Sequence, residues 1–331
     1  MNGSKKFVVI TSIFAPTESV IKFAAIEGWQ LIVVGDKKTP ANWHQDGVIY
    51  LGPEDQVNLG YKIIDLLPWN HYCRKMVGYL YAMEHGAELI ADTDDDNIPY
   101  ENWPFIPDES TKHKTISNAK FVNIYKYFTD QFIWPRGYPL NRILEKESPV
   151  ETVENINVGV WQFLADEDPD VDAIYRLTSN KLVTFDKSEP IALNKGTVSP
   201  FNSQNTIFNK ELFVLLYLPS FVTFRFTDIL RGLIAQPIMW EQELHLGIGA
   251  ATVIQKRNPH DYLRDFESEI PVYIHSERVI DLITAVAKNS GAKPAELLVS
   301  AYTKLCEEKI VTNDEVELIH AWAKDVSRII G

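Results

Sequence analysis

The stretch Glu88-Leu89-Ile90-Ala91-Asp92-Thr93-Asp94-Asp95-Asp96-Asn97 joins a short apolar run to a cluster of carboxylates. The apolar run, residues 88–91, predicts a buried strand. The acidic side chains then follow at the carboxyl end of that strand. Because ligands of open parallel sheets bind beyond the carboxyl ends of the strands, this cluster is where we expect a functional site.

The residues before this stretch alternate between strand and helix patterns. Strands are predicted at 7–13, 31–35, 47–51 and 88–91, and helices at 18–27 and 70–85. Such alternation predicts an α/β fold with a mainly parallel sheet flanked by helices on both faces. Thr11, Asp36 and Asp92 fall at or near the ends of the predicted strands.

The last part of the chain has a helical pattern. Helices are predicted at 279–288, 294–307 and 313–330, and the spacing of Thr312 and Glu315 is that of a capping box. We therefore divide the chain into a main domain of residues 1–275 and a C-terminal helical segment of residues 276–331. The helices of this segment are a possible surface for assembly into a homo-oligomer.

The composition and net charge of the chain limit the kinds of partner and location that we expect. The chain has 331 residues, 45% of them hydrophobic, and a net charge of -13. This charge argues against a nucleic-acid partner, which requires clustered Lys and Arg. The two cysteines, Cys73 and Cys306, fit a reducing compartment. We find neither a signal peptide nor a run of the ~20 apolar residues that a membrane helix needs, so we expect a cytoplasmic location.

The carboxylates after residue 91 are suited to a divalent cation. Mg²⁺ and Mn²⁺ prefer oxygen ligands, and an Asp-x-Asp tripeptide behind a strand presents two carboxylates from a fixed backbone. Asp94 and Asp96 are the predicted ligands, and Arg74 and Lys75 could face the phosphates of a bound nucleotide. A solvated acidic turn and a surface pair of cations would show the same residues.

Several segments resemble the STELLO family of glycosyltransferases. They are residues 28–40, 67–72, 74–82, 92–97, 158–162, 168–174, 200–206 and 257–263, collinear between about Lys6 and Pro271. A weaker likeness is to the reversibly glycosylated polypeptides, which act as UDP-arabinopyranose mutases. The resemblance implies a GT-A domain that binds a nucleotide sugar, with a UDP-sugar favoured, and transfers the sugar to a carbohydrate or glycoconjugate acceptor.

The resemblance also implies roles for single residues. Asp36 would contact the base or ribose, as could Thr11, and Asp228 would be the general base. His260 would be a third metal ligand beside Asp94 and Asp96. The polar run after Pro200 would recognise the sugar through Asn202, Gln204 and Asn205.

Each of these residues also has a simpler interpretation. Asp36 could be a turn residue, Asp228 a helix N-cap and His260 a loop histidine. Arg225 and Arg231 could orient Asp228, bind acid groups of an acceptor or form buried ion pairs. His71, His85 and His113 are interpreted as structural. Two alternatives to the transferase stay open: a UDP-sugar mutase and a non-catalytic scaffold with a transferase fold.

Overall fold

One large sheet runs through the molecule. The computed structural model describes residues 5–104, 106–107, 112–146, 148–257 and 260–331. Its strands are β1 (Lys5–Thr11), β2 (Trp29–Val34), β3 (Val48–Leu51), β4 (Ala87–Thr93), β5 (Asn97–Pro99), β6 (His113–Ser117), β7 (Val150–Glu154), β8 (Val158–Asp166), β9 (Ile191–Leu193), β10 (Asn205–Asn209) and β11 (His245–Gln255). Their order across the sheet is β3-β2-β1-β4-β10-β8-β11-β9-β6-β7, and β5 pairs with β11.

The N-terminal half of the sheet is parallel. β1 pairs in parallel with both β2 and β4, and β2 pairs in parallel with β3. Beyond β4 the strand β10 is antiparallel to both of its neighbours, whereas β8 and β11 are parallel to each other. β8 and β11 therefore run in the same direction as β1–β4, and the predicted α/β fold with a mainly parallel sheet is confirmed.

Helices cover the sheet. They are α1 (Glu18–Ala24), α2 (Pro53–Asn58), α3 (Lys75–Glu84), α4 (Ala173–Thr178), α5 (Thr227–Glu241), α6 (Tyr262–Ala287), α7 (Pro294–Glu307) and α8 (Asn313–Ile330). Short 3₁₀ helices add Lys62–Asp65, Tyr72–Arg74, Ile124–Tyr127, Leu140–Arg142 and Lys210–Leu216.

Helix α3 begins later than the sequence pattern indicates. Asn70 has φ of 56°, in the left-handed region, so the α-helix cannot begin there. A 3₁₀ turn at Tyr72–Arg74 follows, and the α-helix starts at Lys75. Gly78 then lets α3 pack closely on the sheet, because a Cβ at this position would lie 2.6 Å from Val9 Cγ1 and 2.7 Å from Val34 Cγ2.

The first C-terminal helix begins before the predicted start of the C-terminal segment. α6 begins at Tyr262, continues through Pro271 and reaches Ala287, so the proposed boundary at residue 276 lies inside a helix. α7 and α8 have the predicted bounds. The predicted capping box of α8 does not form: Thr312 occupies the N-cap position without a side-chain cap bond. The Glu315 carboxylate accepts hydrogen bonds from Ser220 N (3.0 Å) and Phe221 N (2.8 Å) instead.

Helix α8 is packed into the main body of the protein. Trp322 is fully buried, and its Nε1 donates to Val214 O at 2.8 Å. Asp325 Oδ2 accepts a hydrogen bond from Ile63 N at 2.9 Å. In the parts of the chain that the structure describes, no helix combines the length and the apolar character needed to cross a membrane.

Candidate active site

A pocket of about 370 Å³ opens at the carboxyl ends of β1, β2 and β4. The topology explains its position, since the ends of parallel strands and the loops that follow them meet at one edge of the sheet. Of the residues predicted to form the site, Thr11, Asp36, Arg74, Asp94, Asp96, Gln204, Asp228 and His260 line this pocket. Lys75, Asn202 and Asn205 do not line it. The far wall comes from β11, α5 and the residues before α6.

Lys75 is the buried centre of the acidic cluster. Its Nζ donates to Asp92 Oδ1 at 2.9 Å, to Thr93 O at 2.7 Å and to Asp94 Oδ1 at 2.8 Å. An ammonium group has three donors, so all of them are in use. Lys75 therefore has no free donor for a phosphate in this arrangement, and its contact with a phosphate stays a prediction. Lys75 instead fixes the end of β4 and offsets the charge of two carboxylates.

The carboxylates of residues 94–96 lie close together and partly shielded from water. Burial raises the pKa of Asp94 to about 6, and it also raises the pKa values of Asp95 and Asp96. Asp96 Oδ2 accepts from Gln255 Nε2 at 3.1 Å, but Asp96 Oδ1 is buried without a hydrogen-bond partner in the described part of the chain. A buried carboxylate oxygen without a partner is costly, and a bound cation would remove that cost.

The chemistry of these side chains fits a hard divalent cation. Asp94 and Asp96 offer oxygen donors on one pocket wall, and one of these oxygens lacks a partner. Within the described ranges, however, no group of three or more His, Cys, Asp or Glu side chains is placed to hold an ion. Mg²⁺ is commonly held by one or two carboxylates together with substrate phosphates and water. The two aspartates fit that mode of binding.

His260 lies on the pocket wall directly before α6. Its Nδ1 is 3.0 Å from Asp265 Oδ2, in a partly exposed ion pair. Only the other ring nitrogen, Nε2, is then left for a ligand. The role of His260 as a third metal ligand stays a prediction.

Asp36 and Thr11 form the end of the pocket at β1 and β2. Asp36 Oδ1 accepts from Lys37 N at 2.6 Å, and Asp36 Oδ2 accepts from His71 N at 3.2 Å. Asp36 therefore holds a turn and also faces the pocket, so both interpretations of this residue apply. Its contact with a base or ribose, like that of Thr11, stays a prediction.

Arg74 is buried in the wall behind this end of the pocket. Its Nε donates to Gln56 Oε1 at 2.7 Å, its Nη1 donates to Leu67 O at 3.2 Å, and the guanidinium lies 3.5 Å from the ring centroid of Trp69. Its Nη2 is buried without a partner. A phosphate in the pocket would therefore meet Arg74 at Nη2.

The polar run after Pro200 is mainly structural. Asn205 Nδ2 donates to Thr252 Oγ1 at 2.9 Å, and Asn202 Nδ2 donates to Asp170 Oδ2 at 2.8 Å. Both side chains are buried and do not line the main pocket, and their assignment to substrate binding stays a prediction. Gln204 does face the pocket, where its Nε2 is bonded to Gln255 Oε1.

Asp228 lies in the first turn of α5 and is held by Arg136. Arg136 Nη2 is 3.0 Å from Asp228 Oδ1 and 2.9 Å from Asp228 Oδ2, and Ser203 N donates to Oδ2 at 3.3 Å. The N-cap of α5 is Phe226, so Asp228 is not the cap residue. The carboxylate instead lines the pocket in a fixed orientation.

Two arginines expected beside Asp228 have other partners. Arg231 Nη1 binds Asp92 Oδ2 at 2.7 Å, and Arg225 Nη2 binds Glu269 Oε1 at 2.7 Å. The sequence interpretation missed Arg136, because this residue lies in an irregular loop far along the chain from Asp228. It also treated His71 as structural, although His71 lines the pocket.

The fold and the site together define an α/β protein with a ligand pocket at the carboxyl ends of its parallel strands. Within that class, residues 225–330 match the family model described as STELLO glycosyltransferases. The resemblance predicted from the sequence is thereby confirmed.

Two plant proteins are similar over nearly the whole chain. The chain is 28% identical over 344 residues to "Probable glycosyltransferase STELLO2" of Arabidopsis thaliana, and 28% identical over 348 residues to "Probable glycosyltransferase STELLO1" of the same plant. Each alignment takes in 98% of this chain, but only 45% and 44% of the two relatives. The chain therefore spans less than half the length of the curated relatives it matches.

Among solved structures, the chain overlaps loosely with glucosyl-3-phosphoglycerate synthase from Mycobacterium tuberculosis. The complex of that enzyme with phosphoglyceric acid gives a TM-score of 0.39 at 11% identity, covering 86% of this chain and 80% of the other. A second structure of the synthase from M. tuberculosis gives 0.39 at 9% identity, covering 83% and 80%. This overlap is too loose to bear on the reaction.

Proposed function

We propose that this chain is a metal-dependent glycosyltransferase that uses a nucleoside-diphosphate sugar, with a UDP-sugar favoured, as its donor. The observation that carries the proposal is the set of carboxylates of Asp94 and Asp96 at the end of β4, in the same pocket as Asp36 and Asp228. The STELLO glycosyltransferase match and the plant relatives support the reaction class.

In this proposal the two ends of the pocket have different tasks. Thr11 and Asp36 would bind the nucleoside at the ends of β1 and β2. Asp94 and Asp96 would hold Mn²⁺ or Mg²⁺ together with the diphosphate, where the cation supplies charge neutralisation of the leaving group. Lys75 keeps Asp94 in place from behind, through the 2.8 Å contact between Nζ and Oδ1.

Asp228 would act on the acceptor at the far end of the pocket. A carboxylate within reach of the acceptor hydroxyl can take its proton while the sugar is transferred. Arg136 and the amide of Ser203 hold this carboxylate in the lining of the pocket. The acceptor itself would be a carbohydrate or glycoconjugate.

Calorimetry with UDP, GDP and CMP, each with and without Mn²⁺, tests the proposal. We expect one nucleoside diphosphate to bind only with the metal, and we expect Asp94→Ala combined with Asp96→Ala to abolish that binding. The control is Asp46→Ala, which removes a carboxylate that is 96% exposed. Failure of the wild-type protein to bind any of these nucleotides would refute the proposal.

The role of Asp228 is tested by turnover of the donor that binds. Asp228→Asn should leave the affinity for nucleotide and metal unchanged and reduce transfer by about 10²–10⁴-fold, the usual contribution of a general base. Conversion of a UDP-pentose into its other ring form without an acceptor would instead identify a mutase.

A further inference from the structure

Arg257 is a buried cation at the far end of the pocket. It follows β11, its side chain is 7% exposed, and it lines the pocket. Its Nη1 is buried and has no hydrogen-bond partner among the residues that the structure describes. A guanidinium group is always charged in proteins and carries five N–H donors, so a buried donor without an acceptor is costly. Because Arg257 lines the pocket, a ligand bound there could supply the missing acceptor.

The carboxylates of Asp168 and Asp170, which lie near Arg257, are already bound by other arginines. The charge of Arg257 also acts on Asp96 and Asp265. Its nearest anion is Asp168, with 3.4 Å between Arg257 Nε and Asp168 Oδ2, and Arg176 also contacts that carboxylate. Asp170 is bound by Arg136 at 2.8 Å, and Glu269 is bound by Arg225 at 2.7 Å. Arg257 therefore shares one carboxylate with a second cation, whereas Arg136 and Arg225 each have closer partners.

The direction of the pKa shift of Arg257 agrees with this sharing of carboxylates among the arginines. Burial lowers the pKa of Arg257, and the positive charge of Arg225 lowers it further. Both effects indicate that the charge of Arg257 is incompletely compensated by the protein. An anionic ligand in the pocket would supply the missing compensation and an acceptor for Nη1 at the same time.

The position of Arg257 indicates which part of a substrate carries this anion. The residue lies near Arg225, Asp168 and Asp170, and Asp170 and Asp228 are both bound by Arg136. The predicted nucleoside contacts lie elsewhere in the chain, Thr11 at the end of β1 and Asp36 just after β2. Resting on the proposed function, we infer that Arg257 binds a carboxylate or phosphate group carried by a sugar substrate. The acid group can belong to the donor sugar or to the acceptor.

The test compares acidic and neutral sugars in the full chain. The donor arm measures binding of UDP-glucuronate and UDP-glucose with Mn²⁺. The acceptor arm measures binding of D-glucuronate, D-glucose 6-phosphate and D-glucose, both with UDP and Mn²⁺ and without them. The variant Arg257→Gln removes the charge and leaves Asp168 with Arg176. The control Lys256→Gln makes the same change in net charge at the neighbouring exposed side chain.

We expect one acidic probe to bind about tenfold more tightly than its neutral counterpart, and Arg257→Gln to abolish this preference. Lys256→Gln should keep it, and the thermal unfolding of both variants should match the wild type. The arm that shows the preference identifies whether the donor or the acceptor carries the acid group.

Two results would overturn the inference. One is equal binding of acidic and neutral probes in both arms. The other is that Arg257→Gln lowers the affinity for UDP itself as much as the affinity for the acidic probe. Arg257 would then bind the diphosphate. Failure of the wild-type protein to bind UDP, GDP or CMP refutes the proposed function instead, and the arm without nucleotide still shows whether Arg257 binds an acidic sugar.

Discussion

At the scale of single residues, the site depends on buried ion pairs. Lys75, Asp92 and Arg231 are all essentially buried, and Asp92 is bound from both sides, by Lys75 Nζ at 2.9 Å and by Arg231 Nη1 at 2.7 Å. Burial of a carboxylate is tolerated only with such partners. These pairs join β4, α3 and α5 directly beneath the carboxylates of Asp94 and Asp96.

Replacement of Lys75 by Met should destabilise the protein strongly. The change leaves Asp92 with Arg231 as its one cation and removes the cation that is paired with Asp94. Removal of one partner of a buried ion pair costs about 3–5 kcal/mol. Lys210→Met is the control, because the Lys210–Glu88 pair is about half exposed and such pairs contribute little to stability. Urea denaturation measures both free energies of unfolding, and equal losses would contradict the account.

Asp172 should make stability depend on pH. Its Oδ1 accepts from Tyr175 N at 2.9 Å, its Oδ2 accepts from Trp134 Nε1 at 2.6 Å, and burial raises its pKa to about 6. The folded protein therefore binds the proton of the Asp172 carboxyl more tightly than the unfolded chain does. The protonated carboxyl contributes to stability at pH values below its pKa in the unfolded chain. This contribution is lost as the pH rises from about 4 to about 6.

The variant Asp172→Asn removes this titration and keeps an effective N-cap. Between pH 4.5 and pH 7, the free energy of unfolding of the wild type should fall by about 2 kcal/mol more than that of the variant. Chemical denaturation at the two pH values measures the difference. An equal change in the free energy of unfolding of the two proteins would show that Asp172 does not titrate in this range.

At the scale of elements, α8 is part of the wall that supports the pocket. Glu315 at its start binds the backbone of residues 220–221, and Arg225 and Asp228 follow shortly after that segment. Trp322 packs near Tyr217, with ring centroids 6.2 Å apart. The C-terminal helices therefore stabilise the same chain, and their role in a homo-oligomer stays a prediction.

Truncation of Trp322 should measure this support. Trp322→Ala is expected to lower the free energy of unfolding by about 3–5 kcal/mol, because it leaves a cavity and an unpaired Val214 carbonyl. Lys324→Ala, on the exposed side of the same helix, should change it by less than about 0.5 kcal/mol. A small effect of Trp322→Ala in urea denaturation would mean that α8 is docked only loosely.

At the scale of the whole molecule, the pocket connects distant parts of the sequence. Its walls come from the N-terminal strand ends and from β11, α5 and the residues before α6. A ligand that spans the pocket contacts both halves of the sheet and should stabilise the folded state as a unit.

Nucleotide and metal together should therefore raise the melting temperature. At concentrations about 100-fold above the dissociation constant, a ligand adds about 2.7 kcal/mol to stability, which corresponds to a shift of several degrees. Either component alone should give a much smaller shift, and EDTA should reverse the combined effect. Differential scanning fluorimetry measures it, and additive effects of UDP and Mn²⁺ would indicate that they bind at separate sites.

The sequence by itself determined the alternation of strands and helices, the position of the acidic cluster at a strand end and the bounds of α7 and α8. These features depend on local periodicity and on residues near one another in the chain. The likeness to STELLO proteins follows from the same kind of local pattern.

The tertiary structure decided how each polar side chain is used. Lys75 and Asn205, which look like binding residues, are buried supports, while Arg136 and Arg257 from separate segments reach the pocket. Glu315 has the spacing of a capping box, yet it binds the loop at residues 220–221. The physical reason is that a charged group becomes buried together with whichever partner the fold brings to it, and that partner can lie more than a hundred residues away, as Arg231 does from Asp92.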